Sequence, residues 1–218
     1  MKLLLTSAGI TNKAIEGAFF ELAGKKASRI SLAFIPTAAN VEPGDKGWLL
    51  DNLAQIQRLG LKSVDIVDIS ALEKKQWLPR LEAADVIFVG GGNTYHLMEW
   101  LNKSGLAAEL PRLLETRLYA GISAGTMVTN PDLSLKISQI VYEEDFDRKE
   151  DMPGLGFVDF YVLPHLDSKW FPLLREKNIR KAVEGTGRKT YALDDASAIK
   201  VADEKVEVVS EGNWIEIK

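Results

Sequence analysis

The sequence predicts an α/β fold, a three-layer sandwich in which a mainly parallel sheet lies between helices, and three observations carry that reading. Short apolar runs alternate with stretches of helical periodicity from Leu3 to Ile122. The runs are apolar without alternation, Asp85-Val86-Ile87-Phe88-Val89 most clearly, as strands covered on both faces should be. Glycine-rich stretches follow two of these runs directly, at the strand ends where open parallel sheets gather their ligands.

Residues 3–8 read as the first strand, and Ala14, Ala18, Phe19, Leu22 and Ala23 then recur at helical spacing. Residues 29–35 repeat the strand signal and stop at Pro36-Thr37. A helix over 47–59 ends at Gly60, and a third strand covers 64–69. Residues 72–81 form a weaker helix interrupted by Pro79. The Asp85 strand leads into Gly90-Gly91-Gly92-Asn93-Thr94, two helices follow over 97–101 and 106–118 with a break at Gly105, and residues 118–122 are the next strand. Beyond that point the spacing predicts a turn at Asn130-Pro131-Asp132, a strand over 137–142 and a charged surface loop over 143–151. A strand over 157–163 runs into Pro164-His165. A helix over 171–183 is closed by Gly185, and short strands lie around 191–193, 198–201, 206–209 and 214–217.

The 218 residues suffice for one domain with a substantial core. Against 31 acidic residues stand 27 basic ones, without a basic stripe, which disfavours nucleic-acid binding. No apolar run approaches the roughly 18 residues of a membrane span. Thr6 and Ser7 end the opening Met1-Lys2-Leu3-Leu4-Leu5 run before it could serve as a signal-peptide core. The chain has no cysteine, so disulfides, thiolate metal sites and cysteine nucleophiles are excluded, and a cytoplasmic location is expected.

Tyr119-Ala120-Gly121-Ile122-Ser123-Ala124-Gly125 has the G-x-S-x-G form of a nucleophile elbow, in which a strained serine requires small neighbours. An ordinary glycine-rich turn is the competing reading. The elbow aims the Ala124 N–H at the space before Ser123, where an oxyanion could be received. Gly90-Gly91-Gly92 does not complete a dinucleotide fingerprint, since Tyr95 takes the last glycine's place. Its bare N–H groups, at Gly91 and Gly92, suit a second half of an oxyanion hole.

A serine nucleophile needs a base, and the chain has two histidines, His96 inside a helix and His165 at a strand end. His165 is the better placed. Its orienting carboxylate is Asp132, Asp145 or Asp159 if the acid precedes the histidine, or lies in Asp194-Asp195 if it follows. No metal-ligand cluster is visible, and neither metal nor cofactor is expected.

Val89-Gly90-Gly91-Gly92-Asn93-Thr94, then Gly121-Ile122-Ser123-Ala124-Gly125, then Leu163-Pro164-His165 resemble peptidase family S51, which includes aspartyl dipeptidase and cyanophycinase. The likeness extends to about Ile199. It implies a fold related to class I glutamine amidotransferases (flavodoxin-like), with serine in place of their cysteine, and a triad in the order Ser123, His165, acid. The dipeptidase's acid is a glutamate in a segment matching residues 193–199. Asp195 is the best match, an aspartate where that family member has glutamate, and Asp194 is its close alternative. Arg175 fits the arginine that reads the dipeptidase's aspartate side chain, although the loop from His165 is shorter here. Asn93 joins it as a substrate-binding candidate. The expectation is a serine peptidase cleaving small peptides, aspartyl dipeptides among them, with neither nucleic-acid nor membrane partner. A non-catalytic ligand-binding protein on the same fold and an α/β-hydrolase-type esterase are the rival readings.

Overall fold

The computed structural model describes residues 1–203 and 205–218. Its first half alternates strand and helix: β1 (Lys2–Thr6), α1 (Lys13–Ala23), β2 (Ser31–Ile35), α2 (Gly47–Arg58), β3 (Ser63–Ile66), α3 (Lys74–Ala83), β4 (Val86–Val89), α4 (Thr94–Ser104), α5 (Leu106–Leu113) and β5 (Leu118–Ile122). After Ser123 come α6 (Ala124–Met127), β6 (Asp132–Leu133), α7 (Leu135–Ile137), β7 (Met152–Pro153), β8 (Tyr161–Pro164), α8 (Glu176–Val183) and the strands β9 (Thr190–Leu193), β10 (Ser197–Ala202), β11 (Lys205–Ser210) and β12 (Trp214–Ile217).

Seven strands form the main sheet in the order β11-β10-β1-β5-β4-β2-β3. The five from β1 to β3 are parallel, and β10 and β11 extend the sheet antiparallel. Alternate residues of one strand serve opposite faces. Leu3 and Leu5 pack with Trp77, Leu81, Leu97 and Leu101 from α3 and α4, whereas Leu4 packs with Ile15, Phe19 and Leu22 of α1 and Ile56 of α2. Helices therefore cover both faces, which is why these strands carry no polar alternation. β3 lies to one side of β2 and β4 to the other, so the strand order reverses at β2, and the segments that follow β2 and β4 are joined by the Asn93 N–H donating to Ala38 O at 2.9 Å.

His165 leaves a different sheet from Ser123. The strand β8 pairs parallel with β9 in a separate three-stranded sheet, β12-β9-β8, whose core joins Leu163 and Ala192 to Ile179 and Val183 of α8. Further differences from the sequence reading have local causes. Residues 137–142 are helical, because Ile137, Ile140 and Val141 stand at i, i+3 and i+4 and turn one face to the α8 core despite their β-branched character. The helix expected from 171 begins at Glu176, since Phe171 turns back to stack on His165 and Arg175 is extended. Pro79 sits inside α3 without ending it; a capping box of Glu73 and Gln76 secures the helix start.

Candidate active site

The carboxyl ends of three strands meet at one point. Ser123 follows β5, while β8 and β9, with Pro164 opposite Leu193, carry His165 and Asp195 side by side. His165 Nε2 is 2.9 Å from Ser123 Oγ, and His165 Nδ1 is 2.6 Å from Asp195 Oδ1. With Nδ1–H donated to the carboxylate, Nε2 is left to accept from the serine hydroxyl. Ser123 (φ 50°) and His165 (φ 69°) are both left-handed. Such a backbone costs on the order of 1–3 kcal/mol at a non-glycine residue, so the surroundings must impose it.

The elbow's glycines are required by close approach. A Cβ on Gly121 would stand 2.5 Å from the Gly125 oxygen, and one on Gly125 would collide with the Val89 carbonyl. The end of β1 braces the turn: Thr6 Oγ1 donates to Gly121 O at 2.7 Å, and Thr126 Oγ1 donates to Thr6 O at 2.8 Å. The Ser123 N–H is spent on the carbonyls of Thr6 and Ser7, at 3.2 and 3.1 Å.

Other N–H groups remain for a ligand. Gly91 lies against Ser123, a Cβ there standing 3.2 Å from Ser123 Cβ, and Gly92 passes so close to the Ala38 carbonyl that no side chain fits. Among the described residues the Gly91 and Gly92 N–H groups donate to no backbone carbonyl. Ala124 opens α6, where a first-turn N–H has no intrahelical acceptor.

Ser7, read from the sequence only as the end of a strand run, touches all three residues of the relay. Its hydroxyl donates to Asp195 Oδ1 at 2.9 Å and accepts the His165 N–H at 2.8 Å, and its carbonyl accepts the Ser123 N–H. It is fully buried. Burial works against the charge of Asp195, yet the hydrogen bonds from His165 and Ser7 outweigh it, and the carboxyl titrates below its ordinary value. Phe171 was likewise missed: it stacks on the His165 ring, with centroids 4.7 Å apart and planes 12° from parallel. Tyr142 packs edge-on to Phe171 and donates to Pro164 O at 3.1 Å.

The other candidates are engaged elsewhere. Asp194 accepts from Ala196 N–H and the Ser197 hydroxyl, and from Asn213 N–H, fastening its own turn. Asp132 accepts from the Tyr161 hydroxyl and Asp145 from the Ser138 hydroxyl, while Asp159 is exposed. The Asn93 side chain caps α4 by accepting from His96 N–H at 2.8 Å. His96 itself lies edge-on to Trp100 along α4. The Arg175 guanidinium donates to the carbonyls of Ser168, Phe171 and Leu174, so it ties down the loop after His165 and does not line the cleft.

That cleft runs from Ser123 and Gly92 past Phe171 and Tyr142 to Asp132, Glu144 and Asp145, and none of its lining residues is basic. Glu144, expected in a surface loop, is turned into it. Burial, followed by the charges of Asp145 and Glu42, pushes its carboxyl up to about 7. Among the described residues no three His, Asp or Glu side chains converge as metal ligands, and no helix is long and apolar enough to cross a membrane.

Comparison with known proteins places these residues in context. The family model for peptidase family S51 matches residues 3–209. The chain is 28% identical over 190 residues to an uncharacterized peptidase of Pasteurella multocida, covering 85% of this chain and 87% of that one. It is 29% identical over 219 residues to peptidase E of Salmonella typhimurium, covering 99% and 85% respectively. A crystal structure from Listeria monocytogenes EGD-e, of a protein assigned to peptidase E, superposes with a TM-score of 0.78 at 26% identity, over 97% of this chain and 98% of that one.

Proposed function

The chain belongs to peptidase family S51 and is a serine-type peptidase, and from that premise we propose that it hydrolyses short peptides through an acyl-enzyme on Ser123. The observation that carries this reading is the unbroken relay from Ser123 Oγ through His165 to Asp195, at 2.9 and 2.6 Å. His165 Nε2 takes the hydroxyl proton as Ser123 Oγ attacks the scissile carbonyl, and Asp195 holds the ring in the required tautomer and offsets the imidazolium charge. The Ala124 N–H and those of Gly91 and Gly92 receive the oxyanion. His165 then gives its proton to the leaving amine, and water, deprotonated by the same nitrogen, frees the acid product. Preorganised donors of this kind contribute about 3–4 kcal/mol each to lowering the barrier in a well-studied protease.

We take the fold to be of the class I glutamine amidotransferase kind, supported by the parallel strand order and the serine at the elbow. We also read the chain as one catalytic domain, because Ser7, Ser123, His165 and Asp195 come from widely separated stretches. Aspartyl dipeptides gain no support from the cleft, whose lining has no cation. The test is turnover of a panel of unblocked dipeptides by the native chain and by Ser123→Ala. Cleavage by the first and none by the second is expected. Activity retained within tenfold in Ser123→Ala overturns the mechanism.

A further inference from the structure

Glu144 is a carboxylate in the wall of the cleft that opens on Ser123, and among the described residues no side chain pairs with it. Its acidic neighbours have theirs: Asp145 accepts from the Ser138 hydroxyl and lies 3.5 Å from Arg148, and Asp132 accepts from the Tyr161 hydroxyl and lies 4.0 Å from Arg188. Arg148 is directed to Glu99 at 2.8 Å and to the Tyr95 ring. Among the described residues Glu144 forms no side-chain hydrogen bond or ion pair. The charges that act on it, Asp145 beside it and Glu42 from the loop after β2, are both negative. Glu144, Tyr142 and Ser123 all line this cleft.

Glu144 is partly withdrawn from water with no counter-charge beside it, which is unfavourable for its carboxylate, and a cationic ligand offsets that cost. An anionic ligand at the same place adds repulsion. Arg175, which the resemblance to aspartyl dipeptidase offers for an acidic side chain, has its guanidinium on loop carbonyls.

We propose that Glu144 is the specificity-determining residue of the cleft and receives an ammonium group of the substrate, supplied by a peptide's free amino terminus or by a lysine side chain beside the scissile bond. The assignment rests on the peptidase reading above, and it reverses the sign of the preference implied by resemblance to aspartyl dipeptidase. Charged hydrogen-bond pairs of this kind correspond to about tenfold or more in binding.

The test measures how peptides slow the labelling of Ser123 by a neutral fluorophosphonate, using Ala-Ala-amide, acetyl-Ala-Ala-amide, acetyl-Lys-Ala-amide and acetyl-Asp-Ala-amide. Either Ala-Ala-amide or acetyl-Lys-Ala-amide should protect about tenfold better than acetyl-Ala-Ala-amide, and whichever does so identifies the source of the ammonium. The acetyl-Asp peptide should protect least. In Glu144→Gln the advantage should shrink to about twofold, and in Glu144→Asp it should be partly kept, since the charge remains. Equal protection by all four peptides on the native chain, strongest protection by the Asp peptide, or an advantage undiminished in Glu144→Gln overturns the assignment. Absence of any labelling of the native chain is a different result: it removes the serine mechanism, and the Glu144 role with it.

Discussion

Replacing Ser7 by alanine removes one hydroxyl and loosens all of the relay behind Ser123. That hydroxyl, itself buried, donates to Asp195 Oδ1 at 2.9 Å and accepts the His165 N–H at 2.8 Å, while the Asp195 carboxylate reaches solvent. A hydrogen bond to a charged group contributes about 1.5–3 kcal/mol, and a buried N–H left unpaired costs a further 1–3 kcal/mol or so. The two losses share one residue and do not add, so a stability loss of about 2–4 kcal/mol is expected. The effect on rate is bounded from above by loss of the acid's orienting role, which costs about 10⁴ in kcat in a well-studied protease. Ser7 supports Asp195 without replacing it, and roughly 10- to 100-fold in kcat is the expected loss, with KM little changed. A separate readout distinguishes positioning from general damage. Without the Ser7 donor the Asp195 carboxylate is more basic and holds the imidazolium better, so the acidic limb of the kcat/KM profile should move to higher pH. Ser7→Thr, which keeps the hydroxyl, should restore the limb even if the extra methyl costs stability. Steady-state kinetics across pH on a cleaved dipeptide is the assay. A Ser7→Ala enzyme with kcat within twofold of native and an unmoved acidic limb would show that the contacts at Ser7 do not position the relay.

The remaining predictions concern the carboxylates and the close-packed glycines. Asp195→Asn should lower kcat by up to about 10⁴, whereas Asp194→Asn should lower thermal stability by opening its turn and leave kcat closer to native; the reverse pattern moves the acid by one residue. Glu144, with a folded value near 7 above its ordinary 4.5, binds its proton more tightly when folded, so it lowers stability as pH rises from 4.5 to 7. The cost is up to about 3 kcal/mol above that window and vanishes below it. Glu144→Gln should therefore raise the Tm at pH 8 and change it little at pH 4.5, and equal shifts at both values would contradict the burial argument. Gly91→Ala, whose Cβ would stand 3.2 Å from Ser123 Cβ, should reduce kcat without unfolding the chain. Native-like kcat in that variant would mean that the Gly91 main chain does not serve the nucleophile.

Much of the central sheet was legible because its strands are short, apolar and flanked by glycine or proline, and the elbow because Gly121 and Gly125 meet backbone that tolerates no Cβ. His165 and Asp195 were legible as polar residues ending apolar runs. The same signal stands at Thr6-Ser7 and is easily overlooked, because serine at a strand end has many bland uses and its partners, Ser123, His165 and Asp195, lie far along the chain. Phe171 was misplaced in a helix because apolar periodicity cannot register a chain that turns back to lay one ring on another. Residues 137–142 were misread through β-branched composition, although their i, i+3, i+4 spacing was helical. Glu144 was hidden by its surroundings: a charged run reads as solvated loop, and nothing local says which carboxylate faces inward. Arg175 illustrates the opposite limit, since a motif position fixes where a residue stands but not where its side chain is spent.

The central claim, that Ser123 becomes covalently attached during turnover, is tested most directly by mass spectrometry of the native chain after reaction with a fluorophosphonate. The account predicts one adduct per chain, mapped to the peptide containing Ser123, absent in Ser123→Ala and formed far more slowly in His165→Ala. An adduct on another residue, or an unmodified Ser123 in a chain that still cleaves peptides, would contradict it.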